Sequence, residues 1–295
     1  MKTELEHRLQ QFVNRENEMQ QFCNMLDRDE KPVLVICGDS GIGKSSLLAR
    51  MIHECAMRKL EKSEIVWTPT RNHDYMYIMR KIRDDVGVEY FSKFTDLINY
   101  FTSTNYELKI KVESDASIEI GRGARFTKTD MGDMAGVIVK DLNITAPRTD
   151  RAIPEEERMR RLTDQFIEDL AGALKDKPLL VFFDAIEKMT AETEAWVSNE
   201  FLGALRQGRL TNIRFVLCGQ RKPSDIDEWL WMAEEAELKP LEREYIVEYL
   251  AKKGIDESNH DALTDMLLVM TKGYADRVAK AVEAFLKMQE KRSNG

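Results

Sequence analysis

Eight consecutive residues of this chain have types and spacing suited to binding phosphate. They run from Gly38 to Ser45, read GDSGIGKS and fit the pattern GxxxxGK[ST]. The apolar run Val33–Cys37 precedes them, as a buried strand would, and Ser46 opens a segment with a helical pattern. This order of strand, glycine-rich turn and helix predicts a phosphate-binding loop, whereas a chance match in an ordinary turn would lack that context.

Each part of this loop has a chemical role in the prediction. Glycines let the main chain turn tightly so that N–H groups converge on an anion, and the helix N-terminus that follows adds a positive dipole. Lys44 is expected to contact the β- and γ-phosphates, and the Ser45 hydroxyl to ligate Mg²⁺. The predicted nucleotide contacts in the loop are Gly38, Asp39, Ser40, Gly41, Ile42, Gly43, Lys44, Ser45 and Ser46.

A second candidate lies at the end of the apolar run Leu179–Phe183. Such a run is typical of a parallel strand buried on both faces, and Asp184 follows it directly. Because ligands of open α/β sheets bind at the carboxyl ends of strands, Asp184 is predicted to hold Mg²⁺ together with Ser45. The alternative is an aspartate that only caps the next helix.

Two further residues are candidates for the hydrolytic step. Glu187 would align and partly deprotonate the attacking water if its carboxylate turns back toward the γ-phosphate; otherwise it is a solvated residue at a helix start. Arg221 follows the apolar run 213–218 and would bind the γ-phosphate as a charge-assisted pair, unless it is an ordinary surface residue in a turn. The predicted catalytic residues are Lys44, Asp184, Glu187 and Arg221.

Composition narrows the class of protein. The 295 residues carry a net charge of −8, with 43% hydrophobic and 33% charged residues, as expected of a soluble globular protein. The negative charge argues weakly against general DNA binding as the main activity. No apolar run approaches the ~20 residues of a membrane span, the N-terminus lacks a secretory signal pattern, and the four cysteines lack metal-binding spacing. We therefore expect a cytoplasmic protein with no membrane partner.

The order of strand and helix patterns predicts the architecture. Strands and helices alternate through residues 33–218 and give way to helical patterns after Pro240. This order predicts an α/β fold, with a P-loop NTPase parallel sheet and a small C-terminal helical lid. Residues 106–147 differ, because period-two alternation and scattered glycines predict a β insertion there. The predicted domains are 1–235, which includes the insertion, and 236–295.

The motifs occur in the order found in a known class of ATPases. The segment FVNRENE at 12–18 resembles the F-V-G-R-E-x-E segment of STAND-class signal-transduction ATPases, which are related to AAA+ proteins and include the NACHT and NB-ARC groups. DAIE at 184–187 is similar to their Walker B motif, and CGQRKP at 218–223 to their sensor-1 strand. Residues 238–254 resemble the start of their helical lid.

This resemblance implies an AAA+/ASCE-like core that binds ATP or ADP with Mg²⁺. It also implies nucleotide contacts from Val13 and Arg15, near the adenine, although Asn14 stands where relatives usually have Gly. Relatives often have Pro at the position of Ala275, where it packs on the nucleotide, and Arg277 is a candidate to replace that contact. STAND proteins also carry effector and repeat domains, yet no internal period of about 20–50 residues is seen here. We expect either a fragment or a compact ATPase whose effector and sensor are separate chains.

Four functions fit these features. The main hypothesis is an ATP-binding and slowly ATP-hydrolysing molecular switch that controls assembly with a protein partner and forms homo-oligomers; the resemblance alone suggests a prokaryotic defence or stress system. The first alternative is a DNA-associated AAA+ ATPase of the origin-recognition type. It would need a winged helix after the lid and a basic face, so nucleic acid is a possible partner but not the favoured one. A small-molecule kinase and a nucleotide-binding structural subunit without hydrolysis are the others.

Overall fold

The computed structural model describes residues 12–27, 31–68, 73–102, 153–175, 177–224 and 226–293. The chain divides into two compact units, one formed by residues 1–92 with 165–295 and the other by residues 93–164. The predicted β insertion at 106–147 lies outside the described residues. The first unit holds the phosphate-binding motif and all the strands described below.

A five-stranded parallel sheet forms the centre of the first unit. The strand order is β2-β3-β4-β1-β5, and every neighbouring pair is parallel. Three of the strands are buried along almost their whole length, as their apolar sequences predict for a sheet covered on both faces. The α/β P-loop fold expected from the sequence is therefore confirmed. The strands are β1 (Val33–Cys37), β2 (Glu61–Val66), β3 (Leu179–Asp184), β4 (Ile213–Gly219) and β5 (Ala233–Glu237).

In the described ranges, one helix precedes the first strand, others connect the strands, and the remainder follow the last strand. A π-helical segment, Val197–Phe201, joins two short helices between β3 and β4. The α-helices are α1 (Glu16–Asp27), α2 (Lys44–Met57), α3 (Tyr75–Val86), α4 (Ser92–Thr102), α5 (Glu155–Ala173), α6 (Ala191–Trp196), α7 (Leu202–Arg206), α8 (Ile226–Trp229), α9 (Arg243–Lys252), α10 (His260–Thr271) and α11 (Ala275–Ser293).

One hydrophobic cluster fixes the first two helices to the sheet. Phe22 of α1, Leu47 and Met51 of α2, and Phe182 of β3 are fully buried together within it. Burying a side chain of this size stabilises the fold by about 1.5–3 kcal/mol. This packing holds the first turn of α2, and with it the glycine-rich loop, at the end of β1.

The C-terminal helices α9, α10 and α11, which we call the lid, have their own hydrophobic cluster. Ile246, Leu250, Leu267 and Val278 are buried in it, and Val13 of the N-terminal segment packs against it. The sequence predicted these helices but not β5, which continues past residue 235, where the predicted domain boundary lies. The division into 1–235 and 236–295 stays a prediction.

Candidate functional site

The carboxyl ends of three central strands meet at one edge of the sheet. The register pairs Cys37 of β1 with Gly219 of β4, and Asp184 of β3 with Cys218 of β4. The segments that follow these strands therefore lie side by side. This is the edge where open α/β sheets bind ligands.

A cavity of about 720 Å³ opens at this edge. Its polar side is formed by the loop residues Ser40–Ser46 together with Asp184, Glu187 and Gln220. Its apolar side is formed by the N-terminal segment, the linker before the lid and the lid itself, through Phe12, Val13, Leu241, Tyr249, Val278 and Ala279. One compartment thus offers a polar wall beside an apolar one, which suits a ligand with phosphates at one end and a flat ring at the other.

The phosphate loop has the geometry of an anion cradle. Gly43, the residue before α2, has φ 108°, a left-handed conformation that favours glycine, and no side chain caps the helix after it. The first N–H groups of α2 are thus open to an anion. Lys44 lies in the same loop, where its Nζ donates to Gly38 O at 2.7 Å and to Asp39 O at 2.9 Å.

The predicted metal ligands come together. The Ser45 hydroxyl donates to Asp184 Oδ2 at 3.5 Å. Burial, the largest cause, and the charge of Glu187 raise the pKa of Asp184, while a main-chain hydrogen bond, the Lys44 ammonium and Ser45 oppose the rise. A hydroxyl and a carboxylate beside a phosphate cradle are the oxygen donors that Mg²⁺ prefers. These residues fit a magnesium ion, and their role as its ligands stays a prediction.

A left-handed turn brings Glu187 back to the cavity. Ala185 has φ 62° and begins the short 3-10 helix Ile186–Lys188, which carries this glutamate. The Glu187 Oε2 atom accepts from the Gln220 main-chain N at 3.0 Å, and Oε1 accepts from Gln220 Nε2 at 3.1 Å. Burial alone would raise the pKa of Glu187, but these bonds and one from its own N–H together lower it. The carboxylate is therefore charged at neutral pH.

The close approach of Glu187 to β4 requires a glycine at the strand end. A Cβ on Gly219 would lie 3.0 Å from Glu187 Oε2 and 2.5 Å from Ile186 Cγ1. Gln220, the first residue after this strand, lines the cavity and was missed by the sequence interpretation, which favoured its neighbour. Because the strand ends at Gly219, the position directly after the strand end would have identified Gln220 as a cavity residue.

Arg221 does not line the cavity. Its guanidinium donates to Glu194 of α6 through Nη1 at 2.9 Å and Nη2 at 2.7 Å. These bonds come first among the causes that lower the pKa of Glu194 to about 2, and bonds from Ser224 add to them against burial. The predicted contact of Arg221 with a γ-phosphate stays a prediction, and it would require this ion pair to open.

The N-terminal segment is fixed to both the phosphate loop and the linker that leads to the lid. Arg15 is only 5% exposed, and its Nη2 donates to Ile42 O at 3.1 Å and to Lys239 O at 2.8 Å. Burial lowers its pKa, although nearby Glu18 opposes the effect. The guanidinium is thus committed to main-chain carbonyls, whereas Val13 lines the cavity. Adenine contacts from either residue stay predictions.

Two consecutive residues of this segment have a left-handed conformation, which favours glycine. Asn14 has φ 62° and Arg15 has φ 81°. Asparagine tolerates this conformation better than most residues, and here Asn14 Oδ1 also accepts from the Arg15 main-chain N at 2.6 Å. Asn14 therefore fits this turn although it is not glycine.

The start of α11 lies directly against the phosphate loop. The Asp276 N–H donates to Gly41 O at 2.9 Å, and Ala275 lines the cavity. Tyr274 Oη donates to Asp39 Oδ2 at 2.6 Å. Arg277 instead lies over the Tyr274 ring, with its Cζ 4.7 Å from the centroid, and does not line the cavity. Gly38 and Asp39 are likewise absent from the lining.

The described ranges contain neither a clustered metal site nor a membrane-spanning helix. In those residues, no group of three or more His, Cys, Asp or Glu side chains is placed to hold a metal ion. In the same part of the chain, none of the helices combines the length and apolar character that crossing a bilayer demands.

Comparison with known proteins agrees with this geometry. A sequence model described as an AAA ATPase domain matches residues 11–216. A search of curated protein sequences finds no significant match. Among solved structures, Cdc6p from Pyrobaculum aerophilum is similar with a TM-score of 0.52 and 13% identity, over 95% of this chain and 63% of that one.

Two other solved structures match more loosely. One is the HORMA:CdnC:Trip13 complex from E. coli MS115-1, with a TM-score of 0.45 and 11% identity over 90% of this chain and 78% of that one. The other is Aeropyrum pernix ORC1 in complex with DNA, with a TM-score of 0.46 and 10% identity over 95% and 61%. Of these three structures, Cdc6p has a TM-score above 0.5 and adds support for the fold to that of the sequence model. This chain spans less than two thirds of the length of Cdc6p and of ORC1.

Proposed function

Because the chain belongs to the AAA ATPase domain family, we propose that it is an ATP-dependent molecular switch that hydrolyses ATP slowly and controls assembly with a protein partner. The observation that carries this proposal is the union of the phosphate loop, Asp184, Glu187 and lid residues around one cavity. A nucleotide in this cavity touches both the sheet and the lid. A change in its phosphates then changes the balance between lid positions.

Binding follows from the two sides of the cavity. The main-chain N–H groups of residues 41–46 and the Lys44 ammonium hold the phosphates. Ser45 and Asp184 hold the Mg²⁺, which neutralises phosphate charge when it is bound. The apolar side, with Val13 of the N-terminal segment and Val278 of the lid, accepts the base.

Hydrolysis falls to Glu187, whose carboxylate lines the cavity together with the phosphate loop. It orients a water molecule and takes a proton from it at one of its Oε atoms. Two features make this step slow. Both Oε atoms already accept bonds from Gln220, and a carboxylate with a lowered pKa is a weak base.

The proposed switch also controls assembly. A switch of this kind exposes or covers a surface when the lid changes position, so the oligomeric state or partner binding depends on the nucleotide. Membership of the STAND class rests on the FVNRENE segment and its companion motifs. Homo-oligomers and a separate effector or sensor chain are expected on the same basis.

The test is the mass of the protein in solution with no nucleotide, with ADP and with a non-hydrolysable ATP analogue. The proposal predicts a different mass distribution with the ATP analogue, and no such difference in the Lys44→Ala variant. Lys287→Ala is the matched control, because Lys287 is an exposed residue of α11 outside the cavity lining. Identical masses in all three states, with partner binding equally unchanged, would exclude a switch.

A DNA-associated AAA+ ATPase remains the alternative, because the fold it shares with Cdc6p does not distinguish the two functions. The net charge of −8 is the observation against it. Tight DNA binding with an affinity that falls steeply as salt rises would favour the alternative. Weak binding that is independent of nucleotide would favour the switch.

A further inference from the structure

The lid contacts the phosphate loop through two hydrogen bonds, and one of them uses a side chain of the loop itself. Tyr274, just before α11, donates from Oη to Asp39 Oδ2 at 2.6 Å. The Asp276 N–H donates to Gly41 O at 2.9 Å. Asp39 and Gly41 both belong to the GxxxxGKS loop, so the lid is fixed to the segment that is predicted to hold phosphate.

Tyr274 is held in place from several sides. Its ring packs against the hydrophobic cluster of the sheet rather than that of the lid. The Arg277 guanidinium covers the ring, with Cζ 4.7 Å from the centroid. A Cβ on Gly43 would lie 3.4 Å from the Cβ of Ala275, so the residue next to Tyr274 packs directly on the loop. The lid and the loop thus form a junction that is held by packing as well as by hydrogen bonds.

Asp39 connects this junction to the phosphate-binding lysine. Its main-chain O accepts from Lys44 Nζ at 2.9 Å, while its carboxylate accepts from Tyr274. The same residue therefore contacts the group that binds phosphate and the group that anchors the lid. The hydrogen bond to Asp39 also raises the pKa of the Tyr274 phenol, so this hydroxyl remains protonated and able to donate.

We propose that Asp39 and Tyr274 form a latch that transmits occupancy of the phosphate loop to the lid. The proposal rests on the proposed function, because it takes the loop to bind a nucleotide. It assigns Asp39 a role different from the direct nucleotide contact that its position in the motif predicts. Asp39 and Tyr274 are positioning residues, since neither lines the cavity.

The direction of the effect follows from charge. A phosphate in the loop competes for the Lys44 ammonium and weakens its hold on Asp39. With less positive charge nearby, the Asp39 carboxylate gains more from the Tyr274 hydrogen bond. Nucleotide binding therefore tightens the latch, and by linkage a broken latch weakens nucleotide binding by the same factor.

Hydrogen exchange of peptides that cover residues 274–279 reports on the latch, because the Asp276 N–H, two residues after Tyr274, donates to Gly41 O of the phosphate loop. In the wild type, ADP or a non-hydrolysable ATP analogue should slow this exchange by about fivefold, which corresponds to strengthening the lid–loop contact by about 1 kcal/mol, the net value of one ordinary hydrogen bond. Tyr274→Phe and Asp39→Ala should remove that slowing. Both variants should still bind the nucleotide, with affinity lowered by about the same factor.

The double variant Asp39→Ala/Tyr274→Phe tests whether the two residues act as a pair. Its loss of affinity should equal that of either single variant, because each one already breaks the latch. Tyr90→Phe is the matched control, since the Tyr90 side chain is half-exposed and outside the cavity lining. It should keep both the affinity and the slowing of the wild type.

The outcomes separate the latch from the proposed function. Additive losses in the double variant, or normal slowing in Tyr274→Phe, would overturn the latch while the nucleotide site stands. Failure of the wild type to bind any nucleotide would overturn the proposed function and the latch with it.

Discussion

Glu187 and Gln220 form the most informative pair of residues in the cavity. Both Oε atoms of the glutamate accept bonds from Gln220, one from its main chain and one from its side chain. The Glu187 carboxylate is thus charged and already hydrogen-bonded, and a water molecule must compete with Gln220 before the carboxylate can orient it. We therefore expect slow hydrolysis of ATP.

We predict that Glu187→Gln separates binding from hydrolysis. The amide can still accept a bond but cannot take a proton, so the hydrolysis rate should fall by at least about 100-fold. The affinity for ATP should stay within about threefold of the wild type, because Glu187 is not expected to hold the phosphates. Phosphate release and equilibrium binding are the measurements.

Glu192→Gln serves as the control for that variant, since Glu192 is an exposed residue outside the cavity lining. It should hydrolyse ATP at the wild-type rate. If Glu187→Gln retains at least half of the wild-type rate, Glu187 is not the general base.

The Glu194–Arg221 ion pair predicts a pH dependence of stability. The pKa of Glu194 is lowered to about 2 from 4.5, so its contribution is fully present above about pH 4.5 and is lost as the pH falls through 2. Glu194→Gln should lower the free energy of unfolding at pH 7 by about 1–2 kcal/mol. This is less than the full pKa shift implies, because the Arg221 side chain is 48% exposed.

Urea unfolding of the wild type and of Glu194→Gln from pH 7 downwards measures this effect. The difference between the two should shrink as the pH falls below about 4.5. A difference that stays constant over that interval would mean that the ion pair contributes nothing and that the lost energy comes from packing.

At the scale of elements, the N-terminal segment shows how a main-chain turn sets a connection. Asn14 and Arg15 are both left-handed, and this turn sends the Arg15 side chain to Ile42 and Lys239. The Arg15 side chain thus joins the N-terminal segment, the phosphate loop and the linker before the lid, which are distant in sequence. The segment therefore couples the phosphate loop to the linker that precedes the lid.

Asn14→Gly and Asn14→Ala should differ in stability. Both variants remove the Asn14 Oδ1 acceptor of the Arg15 N–H, but glycine adopts φ 62° freely, which offsets part of that loss, so the free energy of unfolding should change by less than about 0.5 kcal/mol. Alanine is also strained in this conformation, so it should cost about 1–2 kcal/mol. Denaturant unfolding of the two variants side by side is the measurement, and equal stabilities would contradict the account of this turn.

Most of the sheet was predictable from sequence because its strands are apolar runs. The strand β5 was not, because its sequence AEEAE places the buried Ala233 and Ala236 three residues apart, which is a helical spacing. It is a strand because it pairs with β1. The pairing of β5 with β1 forms only in the folded sheet, so the local sequence pattern of β5 does not reveal that it is a strand.

The site residues that come shortly after the end of a strand could be predicted from the sequence. The phosphate loop, Asp184 and Glu187 were placed at one cavity because each follows a central strand. Gln220 was missed because the sequence interpretation gave the role to a charged residue one position later. The contacts of Tyr274 were beyond prediction, since they depend on how the lid packs on the sheet.

At the scale of the whole molecule, several parts of the first unit meet at the cavity. The phosphate loop, the ends of β2, β3 and β4, the N-terminal segment and the lid all contribute to its lining. A ligand bound there would therefore contact the phosphate loop, the strand ends and the lid at the same time. In the switch that we propose, the regulation of assembly depends on this ligand site.

Equilibrium titration of the protein with Mg²⁺–ATP by calorimetry tests the central claim most directly. The account predicts saturable binding at one site per chain, at least about tenfold weaker in Lys44→Ala because a charge-assisted contact with phosphate is worth about 1.5–3 kcal/mol. Lys287→Ala should bind as the wild type does. Absence of binding by the wild type, or equal binding by Lys44→Ala, would contradict it.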